Sequence, residues 1–155
     1  MSGAPDPPCP WGPYRETTLL LRDGAGTLRV DLARSIGAAA RAGIERLAGG
    51  SFAIVTAYNP YFLARGATDD AGNRAAHERL RSELTARGFA HVEADGHANA
   101  APGHVERGFA VRCGADAARG LACEFGQDAY FWYEDGAFWI LPALESRKPG
   151  VRLGA

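Results

Sequence analysis

Lysine is nearly missing: Lys148 is the only one among 17 Lys and Arg side chains. With 20 glycines and abundant alanine, this is what a GC-rich coding bias produces, so the arginines carry no nucleic-acid signal. The 18 Asp and Glu balance them to a formal net charge of −1, and no field of either sign draws the chain to nucleic acid or an anionic membrane. Cysteine is scarce as well. Cys9, Cys113 and Cys123 are odd in number and form no C-x-x-C pair, which argues against a disulfide framework or a zinc knuckle and points to a reducing cytoplasm. No apolar run approaches the roughly 18 residues needed to cross a bilayer. The first residues carry prolines instead of the basic and then apolar stretch of a secretory signal, so a soluble, cytoplasmic protein is expected. A Walker loop, a G-x-S-x-G elbow, an H-E-x-x-H helix and a G-x-G-x-x-G fingerprint are all lacking, which disfavours the common motif-bearing enzyme classes. Whether the chain is an enzyme stays open, and the cofactor is unknown.

What is present is ordinary globular material. Hydrophobic residues make up 46% and charged residues 23% of 155 residues, enough for one domain with a real core. Residues 1–14 read as a flexible Pro-rich arm, 15–144 as a single α+β domain and 145–155 as a C-terminal tail. Residues 17–22 and 28–30 have strand composition around the turn Asp23-Gly24-Ala25-Gly26 and predict a hairpin. Leu32, Ile36, Ala40, Ile44 and Leu47 recur at helical spacing, with Asp31 as N-cap and Gly49-Gly50 as the stop. Residues 52–58 are apolar on both faces, the pattern of a central strand, and Asn59-Pro60 ends it. Residues 71–87 predict a second helix, capped by Asp69 or Asp70, whose inward stripe holds Asn73, His77, Leu80 and Leu84. Strands over 89–94 and 107–113, pairing antiparallel, flank a loop over 95–105. A third helix is expected over 116–125, and a C-terminal hairpin over 129–141 turns at Asp135-Gly136. The sum is an α+β fold: a mixed sheet packed with about three helices.

Chain direction then places polar residues. A strand, helix, parallel strand connection returns the helix N-terminus to the C-terminal end of the first strand, which brings Asn73 near Asn59. If the strand over 89–94 runs parallel to that over 52–58, the 95–105 loop and Glu106 reach the same edge. The third helix returns Gln127 and Asp128 there too. Each residue also has a plain structural role: Asn59-Pro60 as a strand stop, Asn73 and Gln127 as satisfied amides near helix ends, Glu106 as a solvated carboxylate. Together, three primary amides and a carboxylate suit recognition of a polar small molecule, with Asn59, Asn73 and Gln127 binding and Glu106 orienting a donor or acting as a base.

The segments Thr56-Ala57-Tyr58-Asn59-Pro60, Asn73 with Leu80 and Leu84, Glu106-Arg107-Gly108-Phe109-Ala110-Val111 and Phe125-Gly126-Gln127-Asp128-Ala129 resemble a family of small bacterial proteins catalogued as domain of unknown function 3293. The family has no agreed activity. The resemblance implies Asn59, Asn73, Glu106 and Gln127 as its motif positions. An aromatic often stands two residues before the glutamate in that family, where this chain has His104.

His97 and His104 with Asp95 and Glu106 are metal-ligand types, but histidines in such a loop are more often solvated and no metal is expected. His77 reads as a hydrogen-bonded core histidine, and Cys113 and Cys123 as small core residues. In the run Tyr130-Phe131-Trp132-Tyr133, alternate side chains face opposite ways. Were one sheet face bare, one pair would form an apolar patch for a second subunit or a protein partner. That is the alternative function, a non-enzymatic interaction module built on the aromatic hairpin. Its acidic neighbours Asp128, Glu134 and Asp135 argue against stacking nucleic-acid bases.

Overall fold

A computed structural model describes residues 11–101, 103–144 and 149–154. The first hairpin joins β1 (Thr17–Asp23) and β2 (Gly26–Asp31), with Asp23 Oδ1 accepting from the backbone N–H groups of Ala25 and Gly26 to close the turn. A loop leads to α2 (Ala38–Ala48) and the central strand β3 (Ser51–Thr56). The first predicted helix therefore starts late. Asp31 stays in β2 and accepts from Ala33 N in a local turn instead of capping a helix.

After β3 come the single-turn helix α3 (Phe62–Arg65), the long α4 (Asp70–Ala86) and β4 (His91–Ala98). The Asp69 side chain caps α4 by accepting from Gly72 N at 2.7 Å. β5 (Val105–Glu106), β6 (Gly108–Val111) and α5 (Ala115–Glu124) follow, then the hairpin β7 (Ala129–Glu134) and β8 (Ala137–Pro142), and last β9 (Val151–Arg152). The hairpin turns at Asp135-Gly136 with φ of 51° and 76°, positive at both central residues as a type I′ turn requires.

The strands form one sheet in the order β2-β1-β4-β6-β3-β7-β8-β9, with β5 paired to β4. Every pairing among the described residues is antiparallel, which corrects the expected mixed sheet. β3 and β4 do run in the same direction, but β6 lies between them and pairs with both. The helix count also rises from three to five among the described residues, because α1 (Gly12–Arg15) and α3 are single turns too short to leave a periodic signal.

Two cores line the sheet. On one face Leu19, Leu21, Phe52, Phe131, Tyr133 and Phe138 pack with Ile44 and Leu47 of α2. On the other Val55, Phe109, Tyr130 and Trp132 pack with Leu80 and Leu84 of α4 and Leu121 of α5. At roughly 1.5–3 kcal/mol per fully buried large apolar side chain, both faces contribute strongly to stability. The sheet curls toward its first core, so that the chain past β2 meets the chain past β9, where Ser35 Oγ donates to Gly154 O.

Both ends of the described chain join this core. Trp11 is only 2% exposed, its indole N–H donating to Pro149 O, and Tyr14 packs edge-on against Phe131. The described part of the expected arm is thus α1 and its N-cap, a packed element, while residues 1–10 lie outside the described residues. The expected tail supplies β9 and the buried Leu153. Proline content hid the first of these, because Pro13 at the start of a helix is compatible with helical backbone and removes no needed N–H. No described helix is long and apolar enough to cross a membrane.

Candidate functional site

Strand register brings the predicted rim together. Thr56 at the end of β3 pairs with Gly108 at the start of β6, while Ile54 pairs with Phe131 of β7, so β3 ends where β6 and β7 begin. β4 crosses the same rim and continues beyond it to hold Glu106 opposite Gly96. The predicted loop over 95–105 therefore shrinks, because its first four residues extend β4 and its last residue joins β5.

Asn59 is the centre of the cluster. Its backbone adopts the left-handed region at φ 48°, a conformation that asparagine tolerates better than most residues. Its N–H donates to Asn73 Oδ1 at 2.7 Å, and its side-chain Oδ1 accepts from Asn73 Nδ2 at 3.1 Å and from Thr68 N at 3.0 Å. Asn59 Nδ2 donates to Glu106 Oε1 at 2.9 Å. These bonds settle which end of each amide is which. The Asn73 side chain is spent on Asn59 and the Thr68 carbonyl. It lies behind Asn59 and does not line the adjacent cavity, so it braces the cluster instead of facing a ligand.

In front of Asn59 and Glu106 lies a cavity of about 400 Å³ on the first-core face. Its floor is made by Ala94, Gly96 and Ala98 of β4, small residues at a spacing of two that leave the sheet face low. Its walls include Trp11, Tyr14, Tyr58 and Phe131, and its polar rim Glu106, Gln127 and Asp128. Water reaches about a third of the Glu106 side chain (34%), but protein crowds the rest. That burial holds its carboxyl above the usual glutamate range, against the opposing pull of the Asn59 hydrogen bond and of His104, 3.9 Å away. Burial, reinforced by Glu106 and Asp128, also raises the Tyr14 phenol.

Gln127 is 7% exposed and donates from Nε2 to both Tyr58 O and Phe125 O, at 3.0 and 3.2 Å. Asp128 Oδ2 accepts from Leu63 N at the start of α3. Three of the four candidates, Asn59, Glu106 and Gln127, line the cavity, with Asn73 behind them. Reading the sequence missed Trp11 and Tyr14 on the opposite wall. The only signal was their aromatic character in an otherwise proline-rich stretch.

Residues 55–130 match the model of the family described as protein of unknown function (DUF3293). No curated protein and no solved structure matches the chain. The DUF3293 segment runs from β3 to the start of β7 and contains Asn59, Asn73, Glu106 and Gln127. Trp11 and Tyr14 precede it.

Two glycines of the DUF3293 segment have a steric reason. A Cβ at Gly108 would stand 2.6 Å from Val55 O, so close pairing of β6 with β3 beside Glu106 needs glycine. Gly126 has φ +71°, and a Cβ there would stand 2.8 Å from the Pro60 Cβ. Gly126 O accepts from Tyr61 N at 2.7 Å. The N-P turn and the F-G-Q turn are thus packed directly on one another, which is why they hold Asn59 and Gln127 at one rim.

Other expectations meet different outcomes. His97 and His104 do not converge: Gly96 and Ala98 face the cavity, so His97 points to the opposite side of β4, whereas His104 stands near Glu106. Asp95 shares the His97 side, paired with Arg22. No group of three or more His, Cys, Asp or Glu among the described residues is placed to hold a metal. His77 is 2% exposed, but neither ring nitrogen has a hydrogen-bond partner among the described residues, so it is stacked and not hydrogen-bonded as expected. Its ring lies parallel to Phe109 with centroids 4.7 Å apart. Burial first, then Arg107 and Arg81, lower its pKa. Cys113 and Cys123 pack against the second core.

The aromatic hairpin is buried on both sides: Phe131 and Tyr133 in the first core, Tyr130 and Trp132 in the second. The apolar patch expected there is closed by helices. The large apolar side chains that are exposed among the described residues are Tyr61, Phe62, Leu63 and Leu144. Phe62 (51%) and Leu63 (56%) line the cavity, and Leu144 N donates to Gln127 O. The two most exposed of these, Phe62 and Leu63, therefore lie at the cavity.

Proposed function

We propose that the cavity bounded by Glu106, Gln127 and Tyr14 binds a small molecule and that Glu106 is its acid–base group. The observation that carries this reading is a carboxyl held above its ordinary pKa by burial, oriented by Asn59 and opening onto about 400 Å³ of space. Cavities of roughly 300–1,000 Å³ with mostly apolar walls and a few converging polar groups are where proteins bind small ligands. A carboxyl whose pKa is raised is a stronger base when ionised and holds its proton to higher pH than an ordinary glutamate. The left-handed backbone at Asn59 and Tyr61, on either side of Pro60, adds support, since such strain collects at functional sites.

A structural network of amides would need neither the space nor the raised carboxyl. The interaction-module alternative loses its patch with burial of the hairpin; the exposed Phe62 and Leu63 lie at the cavity itself.

A thermal-shift screen of nucleotides, amino acids, amines and sugars tests the proposal on the intact chain and on Ala98→Phe, which fills the floor. Binding raises the melting temperature through linkage. The expected result is at least one compound that stabilises the wild-type chain and fails to stabilise Ala98→Phe. Compounds that stabilise both proteins equally, or none at all, would return the rim to architecture.

A further inference from the structure

Charge and hydrogen-bond inventory narrow the ligand class. Among the described residues no Lys or Arg lines the cavity; its ionisable side chains apart from tyrosine are Glu106, Asp128 and His104. Gln127 uses Nε2 on two carbonyls, which prevents its amide from turning over and leaves Oε1 as the atom open to a ligand, without a hydrogen-bond partner among the described residues. Glu106 Oε2 and Asp128 Oδ1 likewise accept no hydrogen bond there, since Asn59 and Leu63 bond the other oxygen of each carboxylate.

The donors are mostly spent. Thr17 Oγ1 donates to Pro13 O and Thr56 Oγ1 to Arg107 O, and Asn59 Nδ2 donates to Glu106. The open groups are these acceptors together with the His104 ring and the Tyr14 and Tyr58 hydroxyls, which donate as well as accept, on a wall that also carries the aromatic faces of Tyr14, Tyr58 and Phe131. A carboxylate or phosphate ligand would find no Lys or Arg among the described residues to meet it and two carboxylates to repel it. An ammonium, amidinium or guanidinium group would find charge, acceptors and π faces together.

Resting on the small-molecule reading above, we infer that the cavity selects an organic cation: a molecule with a protonated nitrogen directed at Glu106, Gln127 and Asp128 and an apolar or aromatic body against Tyr14 and Phe131. The geometry also assigns a binding role to Asp128, which is not one of the four motif positions. Gln127 contributes through Oε1, and its two carbonyl bonds keep that atom presented whether or not a ligand is bound.

The test is an NMR titration of the intact, ¹⁵N-labelled chain with three probes of similar size: benzylamine, benzyl alcohol and benzoate, each taken through the millimolar range at neutral pH. The expected result is benzylammonium binding at least about tenfold tighter than the alcohol, with benzoate weakest and shifts centred on Gly96, Gln127 and Asp128. Glu106→Gln and Asp128→Asn, both near-isosteric and read against their own unliganded spectra, should each reduce the preference for the amine over the alcohol. If the alcohol or benzoate binds in the cavity as well as the amine, the cation inference falls while the small-molecule reading stands. If the amine preference survives both substitutions together, the assigned carboxylates are wrong and the inference falls. If none of the probes binds and the broader screen also fails, both readings fall together.

Discussion

Asn73 holds Asn59 by two hydrogen bonds at once, accepting from its backbone N–H at 2.7 Å and donating to its side-chain Oδ1 at 3.1 Å. The pair acts as a clamp between the end of β3 and the first turn of α4. Because Asn59 in turn donates to Glu106, the orientation of the carboxyl depends on a residue that never faces the cavity.

Asn73→Ala should therefore cost about 1–3 kcal/mol, the penalty for leaving a buried N–H without its acceptor. With the Asn59 bond to Glu106 loosened, the Glu106 carboxyl should also titrate higher than in the wild type. Chemical denaturation and a carbon-detected NMR titration of Glu106 read the two effects. A loss under about 0.5 kcal/mol, ordinary for a surface change, with an unmoved titration would show that the clamp does not exist.

Glu106 makes the fold sensitive to pH in a particular direction. Its folded pKa lies above the 4.5 of an ordinary glutamate, so between those two values the folded chain binds more protons than the unfolded one. Stability from this group is full below 4.5 and is lost as pH rises through the folded pKa. Glu106→Gln keeps an oxygen for Asn59 and removes the titration. The variant should match the wild type at acid pH and gain on it in melting temperature as pH rises above the ordinary glutamate value. Equal pH slopes for the two proteins above the ordinary glutamate value would refute the burial effect.

The buried His77 works with the opposite sign. Its folded pKa lies below 6.5, so the unfolded chain takes up the proton first and stability falls as pH drops through 6.5 toward the folded value. His77→Phe keeps the stack on Phe109 and removes two nitrogens that lack partners among the described residues. A gain of about 1 kcal/mol at about pH 6 is expected, from the order of the cost of an unsatisfied buried polar group, together with a shallower decline on the acid side. Destabilisation at every pH would mean that the imidazole makes a polar contact the fold needs.

Two glycines should respond oppositely to the same change. Gly126→Ala forces a Cβ against Pro60 at a left-handed φ and should cost about 1–3 kcal/mol. Gly120 lies within α5 with open space around it, so Gly120→Ala should be neutral or gain about 0.5–1 kcal/mol from helix propensity. Urea midpoints compare them directly. Similar midpoints would show that the N-P and F-G-Q turns do not press on one another.

Trp11→Ala checks whether the start of the described chain is a working part of the core. Truncating a fully buried tryptophan costs about 3–5 kcal/mol, and here it also removes a cavity wall. A change within about 0.5 kcal/mol would restore the picture of a detached arm.

Much of the rim is legible in the residues themselves. Asn59-Pro60 stops a strand, Asp69 starts a helix and Asp135-Gly136 turns a hairpin, each through local backbone preference that neighbours in the chain can express alone. Once element type and order are known, chain direction follows, and direction alone gathers Asn59, Asn73, Glu106 and Gln127 at one border of the sheet. The antiparallel pairing of β4 with β6 and of the two hairpins is legible too, but the strand order is not, because β6 slips between β3 and β4 and no local signal states which strand lies between two others. Nor is the single turn of α1, where four residues are too few for periodicity and only the burial of Trp11 reveals its place.

From the sequence alone came most of the elements and their directions, because these depend on residues close in the chain, and direction then implied the shared border of polar groups whose contacts span 47 and 69 residues. Tertiary structure alone decided that a cavity exists there. Its space is the difference between the small floor of Ala94, Gly96 and Ala98 and the aromatic wall of Trp11 and Tyr14, segments some 80 residues apart. Such a gap is a property of how distant surfaces fail to fill one another, and no short stretch of sequence can carry it.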